Sequence, residues 1–356
     1  MVIWMKGLVL EGGGVKGSYQ VGAYYAFKNR RIKFDGIVGT SIGSFNAAML
    51  VSGRERELLK FWYEISPGAA MNFDSRFVEA FNGKGFSFKA FLGAFSTLKG
   101  FVKNFGLDYT KLISMVQIAL NYDKLINSSL DYGLVTVRLS KKDGIKPVYV
   151  YKEDIEDEDK LLEYIMASCY LPVFKQKRII DNHFYLDGGF YDNAPFKLLT
   201  DKGYKEIFIV NIRGIGINRK LPKNVKVTYI HPSRSNGGVL ELNQDVIRDN
   251  IKMGYYDTLR VLKKLDGFKY CFKPKKESYY KFLCRKVDKQ LLRRVMNFFD
   301  VGTYKEAVIK ALEYVLEKDN VDYYDVYKSY KMIKKYRYST SRKFIYRFIR
   351  ELRFFW

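Results

Sequence analysis

The chain has 356 residues, of which 47% are hydrophobic and 17% aromatic. This content excludes an intrinsically disordered chain, and the length is sufficient for a sizeable hydrophobic core. The 62 lysines and arginines against 38 aspartates and glutamates give a formal net charge of +24. Such an excess indicates an anionic partner, either nucleic acid or a negatively charged lipid surface, and composition does not choose between them.

The beginning of the chain predicts alternating strands and helices. An apolar run from Ile3 to Leu10 leads into a glycine cluster and a helical pattern, and a second run from Phe34 to Val38 leads into another turn and helix. Two strand–turn–helix units indicate an α/β fold with parallel strands. Further apolar runs predict strands at residues 133–139, 147–151, 184–186, 206–211 and 225–230.

The segment from about residue 71 to 106 contains nine phenylalanines among glycines and lysines. It predicts either the buried helices of an insertion or a mobile apolar lid near a functional site. The sequence leaves both interpretations open.

The three cysteines are Cys169, Cys271 and Cys284, an odd number without metal-ligand spacing. They fit a reducing compartment. The N-terminus lacks the layout of a signal peptide, and the uncharged stretch from Gly36 to Gly53 contains too many glycines and polar residues for a membrane span. We therefore expect a cytoplasmic protein, at most peripheral on the membrane.

The pentapeptide Gly39-Thr40-Ser41-Ile42-Gly43 fits G-x-S-x-G between a predicted strand and a predicted helix. In a nucleophile elbow, the glycines permit a sharp turn that exposes the serine hydroxyl at the positive end of the helix. The pentapeptide alone is weak evidence, because small residues are common at such turns.

The loop Glu11–Gly17 supports that interpretation. Its consecutive glycines Gly12, Gly13 and Gly14 expose backbone N–H groups that could stabilise an oxyanion, and Lys16 adds a positive charge beside them. The same loop satisfies G-x-G-x-x-G, which would make Asp35 the ribose ligand of a dinucleotide site. The loop alone does not decide between these sites.

The chain has two histidines, His183 and His231. The order serine, acid, histidine admits His231 into a catalytic triad, although its place before Pro232 is typical of a plain strand end. A base other than histidine is therefore worth considering. Asp187, followed by Gly188 and Gly189, is the best-placed carboxylate, and the alternative for Asp187 is a simple turn residue.

Taken together, the motifs EGGGVKG, GTSIG and DGG occur in the order that is typical of patatin-like phospholipases. The chain resembles this family from about Lys6 to Leu265. Ala167 and Ser168 before Pro172 are similar to the family's A-S-x-x-x-P stretch, and Asn193 and Pro195 resemble its continuation after the acid.

The resemblance implies a catalytic dyad in which Ser41 is the nucleophile and Asp187 takes its proton directly. It also implies an oxyanion hole formed by the N–H groups of Gly12, Gly13 and Gly14. The supporting residues would be Lys16, Gly17, Gly39, Gly43, Gly188 and Gly189. An aspartate with the ordinary pKa of about 3.9 is a weak base, so burial would have to raise the pKa of Asp187. The chemistry requires no metal or cofactor, although the sequence does not exclude calcium.

The last quarter of the chain carries half of the net charge, with 23 basic and 11 acidic residues from Asp266 to Trp356. We therefore predict two domains: an acyl hydrolase domain over 1–265, including the Phe-rich insertion, and a basic helical extension over 266–356. The clearest helical patterns of the extension lie at Lys289–Phe299 and Tyr304–Glu317.

A predicted helix from Ser341 is amphipathic, with basic residues mainly flanking or opposite its apolar side. The apolar side consists of Phe344, Ile345, Phe348, Leu352 and Phe355. This pattern suits an anionic membrane surface, and the alternative is a helix packed on the protein with a solvated basic face. Nucleic acid is disfavoured because no recognisable binding module accompanies the charge.

The predicted fold is an α/β three-layer sandwich with a mainly parallel central sheet flanked by helices, plus a helical C-terminal extension. The predicted function is hydrolysis of fatty-acyl esters of membrane phospholipids or lysophospholipids through an acyl-enzyme. The alternatives are an acyltransferase or general carboxylesterase with the same site, a nucleotide-binding oxidoreductase, and a non-enzymatic membrane-binding protein.

Overall fold

The computed structural model describes residues 4–65, 110–140, 144–172, 174 and 178–353. The Phe-rich segment 71–106, with its predicted insertion or lid, lies outside the described residues. The chain divides into two compact units, Met1–Tyr255 and Tyr256–Trp356. The assignment of 1–265 to a hydrolase domain and of 266–356 to an extension stays a prediction.

A central sheet forms the core of the first unit. Its strands are β1 (Lys6–Leu10), β2 (Gly36–Thr40), β3 (Asp131–Ser140), β4 (Gly144–Tyr151), β5 (Phe184–Asp187), β6 (Glu206–Val210) and β7 (Lys226–Ile230). They are arranged in the order β4-β3-β2-β1-β6-β7, with β5 paired to β3. Five neighbouring strands of this sheet are parallel to one another, in the order β3-β2-β1-β6-β7. The other two, β4 and β5, are antiparallel to β3.

Helices cover both faces of this sheet. They are α1 (Ser18–Asn29), α2 (Ile42–Val51), α3 (Glu55–Glu64), α4 (Thr110–Ala119), α5 (Tyr122–Ile126), α6 (Glu158–Ser168) and α7 (Lys197–Thr200), and α8 (Gln244–Leu262) follows β7. On one face, Phe27 of α1 packs edge-to-face on Phe208 of β6 at 5.3 Å between ring centroids. On the other, Leu198 and Leu199 of α7 pack in a buried cluster with Val9. The predicted α/β sandwich is confirmed.

Strand β3 is paired twice along the same edge. Its first half, Asp131 to Val135, pairs with β2 in parallel. Its second half, Thr136 to Leu139, pairs with β5 in the antiparallel direction. Because β2 and β5 run in opposite directions beside the same strand, their carboxyl ends meet.

The second unit consists of short helices around α11 (Tyr304–Lys318), whose buried side includes Ala311, Leu312 and Val315. The other elements are β8 (Cys271–Phe272), α9 (Glu277–Leu283), α10 (Lys289–Phe299), β9 (Val326–Tyr327), α12 (Ser329–Tyr336) and α13 (Phe344–Glu351).

The apolar side of the terminal helix α13 lies inside this unit. Ile345, Phe348 and Leu352 are each at most 1% exposed and belong to its core. The expectation that this side contacts a bilayer is therefore wrong for these residues, because they already pack against the protein. Exposed cations remain on α12 and just before α13, including Lys334, Lys335 and Lys343. Among the described helices, none is long and apolar enough to cross a membrane.

Candidate active site

Ser41 occupies a sharp turn between β2 and α2. Its backbone has φ 54° and ψ −129°, a conformation that strains any residue with a side chain. The flanking glycines make the turn possible by close approach: a Cβ atom on Gly39 would lie 2.2 Å from the Gly43 oxygen, and one on Gly43 would lie 2.2 Å from the Leu10 oxygen. This is the geometry of a nucleophile elbow, with the serine at the amino end of a buried helix.

Asp187 is the partner of Ser41. The Ser41 hydroxyl lies beside the carboxyl group of Asp187 and favours its ionised form. Both side chains are buried, with residue exposures of 8% for Ser41 and 4% for Asp187. The N–H of Gly189 donates to Asp187 Oδ1 at 2.8 Å, which fixes the orientation of the carboxyl group.

Burial changes the acid–base properties of Asp187. Loss of hydration raises its pKa to about 7, and the nearby Ser41 hydroxyl and the hydrogen bond from Gly189 only partly oppose this effect. A carboxylate with this pKa is a far better proton acceptor at neutral pH than an exposed aspartate. The expected effect of burial on Asp187 is therefore present.

The glycine-rich loop lies directly against the elbow. A Cβ atom on Gly12 would lie 3.1 Å from Ser41 Cβ and 2.6 Å from Asn193 Oδ1. Two hydrogen bonds link Gly12 and Asn193. The N–H of Gly12 donates to the backbone oxygen of Asn193 at 3.2 Å, and Asn193 Nδ2 donates to the backbone oxygen of Gly12 at 3.3 Å. The N–H of Gly12 is thus already used within the chain. Within the described residues, the N–H groups of Gly13 and Gly14 have no such acceptor.

A buried carboxylate holds the start of this loop. Glu11 is 1% exposed, and its Oε2 accepts the N–H of Ile212 at 2.7 Å while its Oε1 accepts Asn211 Nδ2 at 3.0 Å. Lys16 donates from Nζ to the Arg213 oxygen at 3.1 Å, and burial lowers its pKa. Both side chains thus connect the loop to the segment after β6.

The other predicted supporting glycines also lie at close contacts. A Cβ atom on Gly17 would lie 2.8 Å from Ile42 Cγ1, and one on Gly188 would lie 2.0 Å from the Val135 oxygen. Larger residues at these positions would displace α2 or the turn after Asp187.

Ser168 holds the backbone of Ser41, and the sequence pointed to Ser168 only through the A-S-x-x-x-P stretch. Its hydroxyl oxygen accepts the N–H of Ser41 at 2.8 Å and donates its own proton to the Val135 oxygen at 2.7 Å. It therefore anchors the strained turn to β3. The neighbouring Cys169 thiol lies beside Ser41 and Asp187, and burial raises its pKa, so it remains protonated.

Neither histidine takes part in this cluster. His231 is exposed at the end of β7, and His183 lies in the turn before β5. Strand β7 is three positions from β2 in the sheet, which is about 14 Å at the usual spacing of about 4.8 Å per strand. The alternative triad with His231 does not agree with this arrangement.

The dinucleotide alternative fails for a similar reason. Asp35 precedes β2, and its Oδ2 accepts the N–H of Lys6 at the start of β1 at 2.7 Å. It lies at the amino edge of the parallel strands, opposite to the glycine loop at the carboxyl edge. In the described part of the chain, no group of three or more His, Cys, Asp or Glu side chains is placed to hold a metal ion.

Comparison with known proteins shows a family match. The sequence profile of patatin-like phospholipases matches residues 8–200, which include the glycine-rich loop, Ser41 and Asp187. The chain belongs to the patatin-like phospholipase family. The resemblance predicted from the motifs is confirmed.

Among curated relatives of this patatin-like chain are fungal proteins named lysophospholipase NTE1. The protein from Kluyveromyces lactis is 25% identical over 210 residues, which cover 59% of this chain and 13% of the relative. The protein from Aspergillus terreus is 27% identical over 212 residues, which cover 60% and 12%. The matched region thus spans about an eighth of the length of these relatives.

Two solved structures of bacterial proteins are also similar to this patatin-like chain. VipD from Legionella pneumophila is 13% identical, with a TM-score of 0.41, and the match covers 98% of this chain and 84% of VipD. The type III effector ExoU is 10% identical, with a TM-score of 0.40, and the match covers 98% and 74%.

Proposed function

We propose that this protein is a serine acyl hydrolase that cleaves fatty-acyl esters of phospholipids or lysophospholipids. The observation that carries the proposal is the placement of Ser41, on its strained elbow, beside the buried carboxyl group of Asp187. Membership of the patatin-like phospholipase family supports the same substrate class. The name lysophospholipase of the fungal relatives makes lysophospholipids the first substrates to test.

In the first step, Ser41 Oγ attacks the ester carbonyl carbon while Asp187 accepts the hydroxyl proton. The raised pKa of Asp187, about 7, supports this role as a base. The carbonyl oxygen gains negative charge, which the N–H groups of Gly13 and Gly14 stabilise, because both are free of intrachain acceptors in the described residues. The proton on Asp187 then passes to the departing alcohol, leaving an acyl group on Ser41.

In the second step, water attacks the acyl-Ser41 carbonyl and gives its proton to Asp187. The tetrahedral intermediate collapses, the Ser41 oxygen recovers the proton, and a fatty acid leaves. An alcohol in place of water would give acyl transfer, so the balance of hydrolase and acyltransferase activity depends on the acceptor that reaches Ser41.

The positive charge supports a peripheral encounter with anionic membranes as part of this function. Since the apolar side of α13 is buried, the attraction would come from exposed cations such as Lys334, Lys335 and Lys343. Truncation near Asp325 would remove core residues such as Ile333 and Phe348, so charge substitution is the cleaner test. We expect Lys334→Gln/Lys335→Gln/Lys343→Gln to reduce co-sedimentation with anionic vesicles at low salt.

The matched control for this membrane test removes three exposed cations from the first unit, Arg30→Gln/Lys33→Gln/Lys223→Gln. Equal loss of vesicle binding in both triple variants would show that net charge alone matters. If Lys334→Gln/Lys335→Gln/Lys343→Gln kept its vesicle binding, the proposal that the cations at α12 and α13 attract the protein to the membrane would be contradicted.

The hydrolase proposal is tested by mass spectrometry of the products from mixed phospholipids and lysophospholipids. The wild-type protein should release fatty acids, and Ser41→Ala should release none while keeping the wild-type melting temperature. Addition of a long-chain alcohol would reveal acyl transfer as a new ester. Absence of any lipid product from the folded wild-type protein would contradict the proposed function.

A further inference from the structure

Four aromatic side chains form a contiguous patch on the surface of the second unit. They come from three helices: Phe298 and Phe299 from the end of α10, Tyr314 from α11 and Phe344 from the start of α13. The Phe298 ring packs edge-to-face on the other three, with centroid distances of 4.9 Å to Phe299, 6.2 Å to Tyr314 and 5.3 Å to Phe344. We call these four residues the aromatic patch.

Phe298 is the most exposed member of the aromatic patch. It is 55% exposed, whereas the other three are half-buried and pack against the core of the unit. The spacing along α10 explains this difference. Val295 is buried, and Phe299 lies four residues later on the same side of the helix. Phe298 is turned about 100° away from Phe299 around the helix axis, so its ring covers the half-buried rings and faces solvent.

Cations lie directly against the aromatic patch. The Arg294 guanidinium is 4.4 Å from the centroid of the Phe344 ring, and Lys318 Nζ is 5.8 Å from the centroid of the Tyr314 ring. The ion pairs among the described residues include neither Arg294 nor Lys318. These charges contact aromatic rings and remain available to an external anion.

The combination of exposed rings and unpaired cations defines the chemistry of a partner. The rings gain free energy by leaving water, and the cations are attracted to anions. An anionic bilayer offers both within one interface, since its phosphates lie directly above its acyl chains. A second copy of the chain is a poor occupant, because it would bring identical cations against Arg294 and Lys318.

We propose that the aromatic patch docks the protein on an anionic lipid surface. Phe298 enters the interfacial region, while Arg294 and Lys318 contact lipid phosphates. This inference rests on the proposed action on membrane lipids, and it adds an apolar contact surface to the attraction by exposed cations. The patch is separate from the apolar side of α13, where Ile345 and Phe348 are buried in the core.

The test uses the full chain with Ser41→Ala, so that lipids are not consumed, and phosphatidylcholine vesicles with or without phosphatidylglycerol. Phe298→Ser should weaken co-sedimentation with the anionic vesicles about fivefold to tenfold at both low and high salt, because burial of a ring is not screened. Arg294→Gln/Lys318→Gln should weaken it at least about tenfold at low salt and less at high salt.

The matched control is Tyr229→Ser, which removes a ring of similar exposure, 50%, from β7 in the first unit. It should keep its vesicle affinity within about twofold of the parent protein. Tryptophan fluorescence reports insertion directly. Phe298→Trp should add emission that brominated lipids quench, above the background of the three native tryptophans, whereas Tyr229→Trp should add emission that they do not quench.

Activity separates this inference from the proposed function. With Ser41 present, Phe298→Ser should keep the wild-type rate on a soluble ester and lose rate on anionic vesicles. A wild-type protein that binds vesicles but hydrolyses no lipid would contradict the proposed function alone.

Four results would each overturn the docking surface: no binding of the parent protein to anionic vesicles, no weakening by Phe298→Ser, equal weakening by Tyr229→Ser, or no quenching at position 298. Circular dichroism and melting temperature establish that every variant is folded.

Discussion

Ser41 and Asp187 lie beside each other although 146 residues separate them in the chain. The register of the sheet explains this contact, because Thr40 of β2 pairs with Val135 and Asp187 of β5 pairs with Thr136. The two strands approach from opposite directions and end at consecutive residues of β3. The proposed catalytic pair thus depends on a long-range strand pairing and not on a local motif.

The first prediction concerns the pH dependence of hydrolysis. Asp187 must be ionised to accept the Ser41 proton, and its pKa is about 7. We therefore expect kcat/KM to rise with pH, with a midpoint near that value, and to level off above it. Initial rates on a soluble ester between pH 5 and 9 measure this profile. A rate that stays constant from pH 9 down to pH 5 would contradict the raised pKa of Asp187.

The second prediction concerns the stability of Asp187→Asn. The folded pKa of about 7 lies above the unfolded value. The folded protein therefore binds this proton more tightly, and stability is lost as pH rises from about 4, the unfolded value, toward the folded pKa. The asparagine variant lacks this loss. The difference in free energy of unfolding, Asp187→Asn minus wild type, should therefore increase as the pH rises from about 4 to about 7. Urea denaturation measures this difference. A difference that stays constant with pH would contradict the raised pKa.

The third prediction concerns Ser168 as a positioning residue. Ser168→Ala leaves the N–H of Ser41 without its acceptor at a strained turn. An unsatisfied buried donor costs about 1–3 kcal/mol, so we expect that loss of stability and a decrease in kcat of at least about tenfold, with little change in KM. Esterase kinetics and thermal denaturation provide the measurements.

The control for Ser168→Ala is Ser52→Ala. It also removes a buried serine hydroxyl, which donates to the backbone oxygen of Ala48. It should keep the wild-type kcat. A similar fall in kcat in both variants would indicate general destabilisation and not the anchoring of Ser41.

The fourth prediction concerns the contact between the glycine loop and the elbow. In Gly12→Ala, the new methyl group would lie 2.6 Å from Asn193 Oδ1 and 3.1 Å from Ser41 Cβ. The loop must therefore move away from Ser41. We expect kcat to fall by at least about 100-fold, which is the effect of losing one oxyanion donor. Gly302→Ala, where no atom lies within 4 Å of the new Cβ, is the control and should be neutral. Normal activity of Gly12→Ala would contradict the role of this loop.

The sequence was sufficient to predict those parts of the site that depend on local geometry. Gly39 and Gly43 are required by the turn itself, and the order of strand, glycine loop and helix follows from apolar patterning. The residues alone made Asp187 a candidate base, and its pairing with Ser41 was implied only by the family resemblance, because the placement of β5 beside β3 depends on strand register. The anchoring bond from Ser41 to Ser168 is equally non-local.

The terminal helix shows a different limit of sequence patterns. Its apolar side, including Ile345 and Phe348, has the same periodicity whether it faces a bilayer or a protein core. Only the tertiary structure reveals that these residues lie inside the second unit. Sequence periodicity therefore identifies an amphipathic helix but not what covers it.

The most direct test of the Ser41–Asp187 dyad is the rate of lysophosphatidylcholine hydrolysis at pH 8 for wild type, Asp187→Asn and His231→Ala. Fatty acid release is measured by mass spectrometry. Loss of the general base should reduce kcat by about 10²–10⁴-fold in Asp187→Asn, whereas His231→Ala should stay within about twofold of wild type. Near-normal turnover by Asp187→Asn, or a large loss in His231→Ala, would contradict the dyad.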